Sequence, residues 1–97
     1  MKRVCIIGLG YIGLPTALLL TEYGLEVIGV DINEKIVEGL NNGVTHIKEP
    51  GLDEKLLSAI KNKSFKAQTE YTYADIFLIT VPTPIKENKD LLKTPNI

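Results

Sequence analysis

Val4-Cys5-Ile6-Ile7-Gly8-Leu9-Gly10-Tyr11-Ile12-Gly13-Leu14-Pro15, followed by a second apolar run from Leu25 to Val30 that ends at Asp31, decides the fold. The first run is too short for a helix and rich in β-branched residues. It therefore predicts a buried parallel strand leading straight into Gly8. The three glycines then divide the work of a strand-to-helix turn. Gly8 permits the tight bend, Gly10 leaves bare backbone for an approaching ligand, and Gly13 lets helix and strand pack closely. The amides at the helix start form a natural cradle for an anion, because they lack intrahelical partners and sit at the positive end of the dipole. Asp31 lies twenty-one residues after Gly10, near the spacing of about 20 at which a carboxylate meets a ribose diol.

Strand, glycines, helix, strand and terminal acid in that order define a dinucleotide-binding unit of the Rossmann type. A carboxylate at Asp31 repels a 2′-phosphate, which favours NAD over NADP. Asp31 also has a purely local reading, since Asp31-Ile32-Asn33-Glu34 fits the Asp-x-x-Glu form of a capping box; the two roles are compatible.

The chain has 97 residues, with eleven Lys plus Arg against twelve Asp plus Glu and a net charge of −1. That balance carries no electrostatic footprint for nucleic acid. No apolar run reaches the roughly 20 residues of a membrane span, and the run after Met1-Lys2-Arg3 is too short for a signal peptide, so a soluble cytoplasmic protein is expected. The single cysteine, Cys5, has no internal disulfide partner and lies mid-strand, where it reads as a small core residue and not as a nucleophile. No Cys or His pair stands at metal-ligand spacing, so no metal is expected.

Outward from the glycine loop, the pattern predicts a helix from Ile12 to about Tyr23, with Ile12, Ala17, Leu18 and Leu20 apolar and Gly24 as its stop. Pro15 is tolerable there in the first turn. A second helix is expected after Asp31, running to about Asn42, with Ile36, Val37 and Leu40 facing a sheet. Val44 to Gly51 reads as a loop, and Leu52 to about Asn62 as a third helix with Leu52, Leu56 and Ile60 on one stripe and Leu57 beside it. Ser64 to Thr69 reads as a strand with Phe65 and Ala67 inward. The near-continuous apolar run from Ala74 to Val81 predicts a strand beside the first one and buried on both faces. Val81-Pro82-Thr83-Pro84 stops it at the carboxyl edge, where open α/β sheets bind ligands. Lys86 to Ile97 is charged and aperiodic and reads as a loop or frayed tail, leaving 1–85 as the cofactor domain.

Four motifs in order, Gly8-Leu9-Gly10-Tyr11-Ile12-Gly13-Leu14-Pro15, Val30-Asp31-Ile32-Asn33, Glu49-Pro50-Gly51-Leu52 and Ala74-Asp75 through Pro84, resemble the N-terminal domain of the UDP-glucose/GDP-mannose dehydrogenase family. Within it, His46-Ile47-x-Glu49-Pro50 is similar to the version found in UDP-N-acetyl-mannosamine dehydrogenases. The resemblance implies oxidation of a nucleotide-sugar C6 alcohol to a carboxylate with two NAD through a cysteine-bound thioester, in surface polysaccharide precursor synthesis. It also implies two Rossmann-like domains and a homodimer.

By the same resemblance, Gly8, Gly10, Tyr11, Ile12, Gly13 and Asp31 hold NAD, and Val81, Pro82 and Thr83 line the nicotinamide side. Glu49, Pro50, Gly51 and Leu52 lie over the cofactor and substrate cleft. Tyr11 packs against or covers the cofactor; Thr83 donates to it or serves the turn; His46 contacts a ligand or bonds its own turn; Glu49 acts on substrate or is a solvated acid.

The family's catalytic residues have no counterpart here, so no catalytic residue is assigned and the 97-residue chain by itself is expected to be inactive. The expected sheet follows the 3-2-1-4-5-6 order and stops after its fourth strand. That leaves Asp75 to Val81 as an open edge that pairs with another copy or is covered by the tail. Two other readings compete: a hydroxyacid-type dehydrogenase, which lacks a Glu-Pro-Gly-Leu segment, and a non-catalytic NAD-sensing module, which is complete in itself.

Overall fold

The computed structural model describes residues 2–80; Val81, Pro82, Thr83 and the rest of the chain to Ile97 lie outside the described residues, as does Met1. The elements are β1 (Arg3–Ile7), α1 (Gly13–Thr21), β2 (Glu26–Val30), α2 (Glu34–Asn41), α3 (Leu52–Lys61), β3 (Phe65–Gln68) and β4 (Ile76–Ile79). They form one parallel sheet in the order β3-β2-β1-β4. This is the Rossmann-like α/β architecture and strand order expected from the glycine loop.

Register places Ile7 opposite both Val30 and Ile79, so β1, β2 and β4 end level with one another. Their carboxyl ends form a single rim. Alternation along the strands separates two layers. Val4, Ile6, Val27, Phe65 and Ala67 join Leu14, Leu18, Leu40 and Leu56 from the three helices in the main core. Cys5, Ile28, Val30 and Ala74 make a smaller cluster on the opposite face. Val4, Cys5 and Ile6 are consequently all buried, as a central parallel strand requires.

The helices follow from local chemistry. Pro15 is the third residue of α1, where the missing amide has no intrahelical role. Ile12, expected inside that helix, is instead its exposed N-cap, because the turn needs residues 10–12 outside the helical stripe. In α2, Val37 and Leu40 are buried while Ile36 packs only partly against the core. On α3, Leu52, Leu56 and Ala59 face inward, Ile60 packs at the margin and Leu57 is exposed.

Strand β3 alternates as predicted, with Phe65 and Ala67 buried and Lys66 exposed. Its outer edge is closed by a side chain: Asn41 Nδ2 donates to the Ala67 carbonyl at 2.8 Å, and Asn41 Oδ1 accepts from the Ala67 amide at 2.9 Å. A side-chain amide thus stands where a neighbouring strand would pair.

Strand β4 departs from expectation. It lies beside β1, but Ile76, Phe77, Leu78 and Ile79 are 36–70% exposed and not buried on both faces. The physical reason is its place at the sheet margin: the core helices gather over β1, β2 and β3, and among the described residues none covers β4. The lower end of the strand is stapled electrostatically. The Arg3 amide donates to Asp75 Oδ2 at 2.8 Å, and the Arg3 guanidinium pairs with Glu26 at 3.0 Å and donates to the Tyr73 carbonyl.

Candidate functional site

The chemistry gathers at the rim where β1 gives way to α1. Gly8 adopts φ +98°, a left-handed conformation that an L side chain resists, and its amide donates to the Val30 carbonyl at 2.8 Å. Gly13 is held by close packing: a Cβ there would stand 1.7 Å from the Gly8 carbonyl oxygen and 2.4 Å from Thr80 Oγ1. Gly10 has neither constraint. A Cβ on it meets no atom within 4 Å, so nothing in the described fold requires a glycine at that position.

Between them, Leu9 anchors the loop. Its side chain is fully buried in the main core, in space left by Gly29, where a Cβ would strike Leu9 Cδ2 at 2.8 Å. Such complete burial is worth about 1.5–3 kcal/mol. Its amide donates to Asp31 Oδ2 at 3.0 Å, and its carbonyl accepts from His46 Nε2. Because a carbonyl only accepts, His46 carries its proton on Nε2.

Just beyond Leu9, the N–H groups of Gly10, Tyr11 and Ile12 meet no protein acceptor among the described residues. Tyr11 and Ile12 are both exposed beside this patch. Three free donors at the N-terminal end of a helix favour an anion there.

Asp31 is part of the same rim. Oδ1 accepts from the Asn33 amide at 2.9 Å while Oδ2 holds the Leu9 amide. The capping-box reading of Asp31 is therefore corrected: the N-cap of α2 is Asn33, whose Oδ1 accepts from Lys35 and Ile36. An ionised carboxylate has about four lone-pair sites, so two used acceptors leave room for a diol. Asp31 also lines a cleft of about 550 Å³ with Ile7, Gly8, Val30, Ile32, Thr69, Glu70 and Tyr71. Its charged lining residues, Asp31 and Glu70, are both acidic, and that repels a 2′-phosphate.

Thr80 was not among the sequence candidates. Its hydroxyl lies 2.7 Å from the Gly8 carbonyl and 3.2 Å from that of Ile7, joining the end of β4 to the start of the glycine turn. The signal was a hydroxyl closing an apolar run at the carboxyl rim. Glu70 and Tyr71 were missed as well, because only the parallel register brings the residues after β3 beside Asp31.

The Glu49-Pro50-Gly51-Leu52 segment leads into α3. Leu52 is buried in the core, and Gly51 is the N-cap of α3 at φ +83°. Glu49 and Pro50 are exposed and line a separate hollow with Val44, Thr45 and Lys48. His46 bonds the glycine loop and not its own turn, which revises the local reading of that residue.

Cys5 is fully buried in β1, and loss of hydration pushes its thiol up, outweighing the opposing hydrogen bond from the Thr72 backbone. Among the described residues, no group of three or more His, Cys, Asp or Glu residues is placed to hold a metal ion.

The free amides, the open Gly10 and the acid at the end of β2 define a Rossmann-type dinucleotide-binding fold. The pattern of the UDP-glucose/GDP-mannose dehydrogenase family, NAD binding domain, matches residues 2–95, and the chain belongs to that family. It is 52% identical over 90 residues to the UDP-N-acetyl-D-mannosamine dehydrogenase of Methanococcus maripaludis, spanning 93% of this chain and 21% of that protein. The UDP-N-acetyl-mannosamine dehydrogenase of Staphylococcus aureus superimposes with a TM-score of 0.83 at 41% identity, over 86% of this chain and 20% of that one.

The GDP-mannose dehydrogenase of Pseudomonas aeruginosa gives a TM-score of 0.84 at 36% identity, over 89% and 21%. The chain thus spans about a fifth of the length of the relatives it matches. The family assignment places the chain with the nucleotide-sugar dehydrogenases and not with the hydroxyacid-type dehydrogenases.

Proposed function

We propose that this chain holds NAD for a nucleotide-sugar 6-dehydrogenase whose substrate is UDP-N-acetyl-mannosamine, oxidised at C6 to the uronate. The observation that carries the reading is the joint placement, on one rim, of the unpartnered amides of Gly10 to Ile12 and the carboxylate of Asp31. NAD, when bound, supplies a hydride acceptor. The residues present fit it: the amides receive the pyrophosphate, Gly10 leaves room for it, and Asp31 accepts from the adenosine ribose hydroxyls.

Tyr11, 80% exposed beside the amides, covers the phosphates with its ring. Asp31 and Glu70 exclude a 2′-phosphate from the cleft they share. The names of the similar dehydrogenases support the choice of sugar. Calorimetric titration of the chain with NAD and NADP tests the reading. NAD binds in preference to NADP, and Asp31→Ala erases the preference; equal affinity of the parent chain for both would refute the role of Asp31.

We further infer that the 97-residue chain self-associates through β4, whose apolar side chains are exposed on both faces. Light scattering across a concentration series tests this, and a chain that stays monomeric throughout sinks it.

A further inference from the structure

We propose that His46 is a positioning residue for the cofactor's phosphates, acting through the peptide that joins Leu9 to Gly10. The inference rests on the NAD reading above and adds a residue to it. A peptide unit is planar and trans, so its carbonyl and its N–H point to opposite sides. His46 Nε2–H donates to the carbonyl of this peptide, and the N–H on its other side is that of Gly10, one of the free donors at the start of α1. Holding the carbonyl therefore aims the amide.

The neighbouring peptide is held in the same way. The Leu9 amide donates to Asp31 Oδ2 at 3.0 Å, and the Leu9 side chain is fully buried. Leu9 is thus pinned at its amide, its carbonyl and its side chain, and His46 supplies the one pin that comes from the loop between α2 and α3. A hydrogen bond on a carbonyl also polarises its peptide and strengthens the opposite N–H as a donor.

The same contact ties the glycine loop to the segment that carries Glu49 and Pro50. The backbone from His46 leads through buried Ile47 to the turn in which the Leu52 amide donates to the Glu49 carbonyl at 3.1 Å. The position of that turn and the aim of the Gly10 amide are then coupled through one side chain.

The test compares the parent chain with His46→Ala and His46→Gln in NAD titrations, with the melting temperature of each and the 15N resonance of the Gly10 amide in the free chain. Glutamine places an Nε2 donor at a similar reach. His46→Ala is expected to weaken NAD about fivefold, in line with the loss of one modest hydrogen bond, and His46→Gln to recover most of that loss. The Gly10 resonance, which senses a hydrogen bond on the carbonyl of its own peptide, shifts in the alanine variant and returns in the glutamine variant.

Unchanged affinity in His46→Ala, or a glutamine variant as weak as alanine at equal melting temperature, would overturn the proposal. Should the parent chain fail to bind NAD, the NAD reading falls and the Gly10 resonance decides for His46 by itself: no shift in His46→Ala overturns the positioning role.

Discussion

Replacing Gly13 and Gly10 in turn by alanine separates a glycine needed by the fold from one needed by a ligand. At Gly13 the new methyl would stand 1.7 Å from the Gly8 carbonyl oxygen and 2.9 Å from its carbon, both backbone atoms, and 2.4 Å from Thr80 Oγ1. Thr80 has a rotamer to yield, but the Gly8 carbonyl has none, because its peptide belongs to a turn fixed by Gly8 φ +98° and by the bond to Val30. Helix α1 must therefore move outward, opening the contact between Leu14, Leu18 and the sheet. Overpacking typically costs about 1–3 kcal/mol, and a backbone clash this deep belongs at or above the top of that range.

For a domain of about this size 1 kcal/mol corresponds to roughly 4–8 °C, so Gly13→Ala should lower the melting temperature by about 12 °C or more. Gly10→Ala should do the reverse. With open space around the methyl and no positive φ, it leaves the fold intact and gains up to about 1 kcal/mol from a stiffer unfolded chain. On the proposed reading of the glycine loop, the same methyl stands in the way of the pyrophosphate, and NAD affinity should fall at least tenfold. Thermal melts followed by circular dichroism, with NAD titrations on each variant, read both effects. A Gly13→Ala chain melting within about 2 °C of the parent would refute the packing argument; a Gly10→Ala chain with parental affinity would refute the ligand argument.

Two further outcomes follow from the same geometry. Thr80→Val removes the hydroxyl from the Gly8 carbonyl while keeping the shape of the side chain, and denaturant unfolding should show a loss of about 1 kcal/mol. Cys5 is buried and its thiol is pushed up, which keeps it protonated. At pH 8 a thiol reagent should label the chain only after denaturant is added, and rapid labelling of the folded chain would contradict its place in the core.

Much of this protein was legible before folding because its signals are local. A four-residue apolar run, glycines at Gly8, Gly10 and Gly13, and an acid twenty-one residues beyond Gly10 specify strand, turn, helix and strand through backbone sterics and short-range periodicity alone. Alternation at Phe65 and Ala67 was readable for the same reason. What failed depended on neighbours. The apolar run of β4 described its chemistry correctly and its burial wrongly, since exposure is set by which elements lie across a strand and not by its own residues.

Asp31 satisfied the spacing of a capping box, yet Asn33 became the cap, because the Leu9 amide lies within reach of the Asp31 carboxylate only once β1 and β2 are paired. His46 was equally opaque: its partner is thirty-seven residues earlier in the chain, and the hydrogen bond exists only because the loop after α2 comes back over the glycine turn. Local order and cofactor class were thus decided by the chain's own sequence. The tertiary structure decided which of those groups keep free donors and acceptors for a ligand, since that depends on contacts between residues distant in sequence.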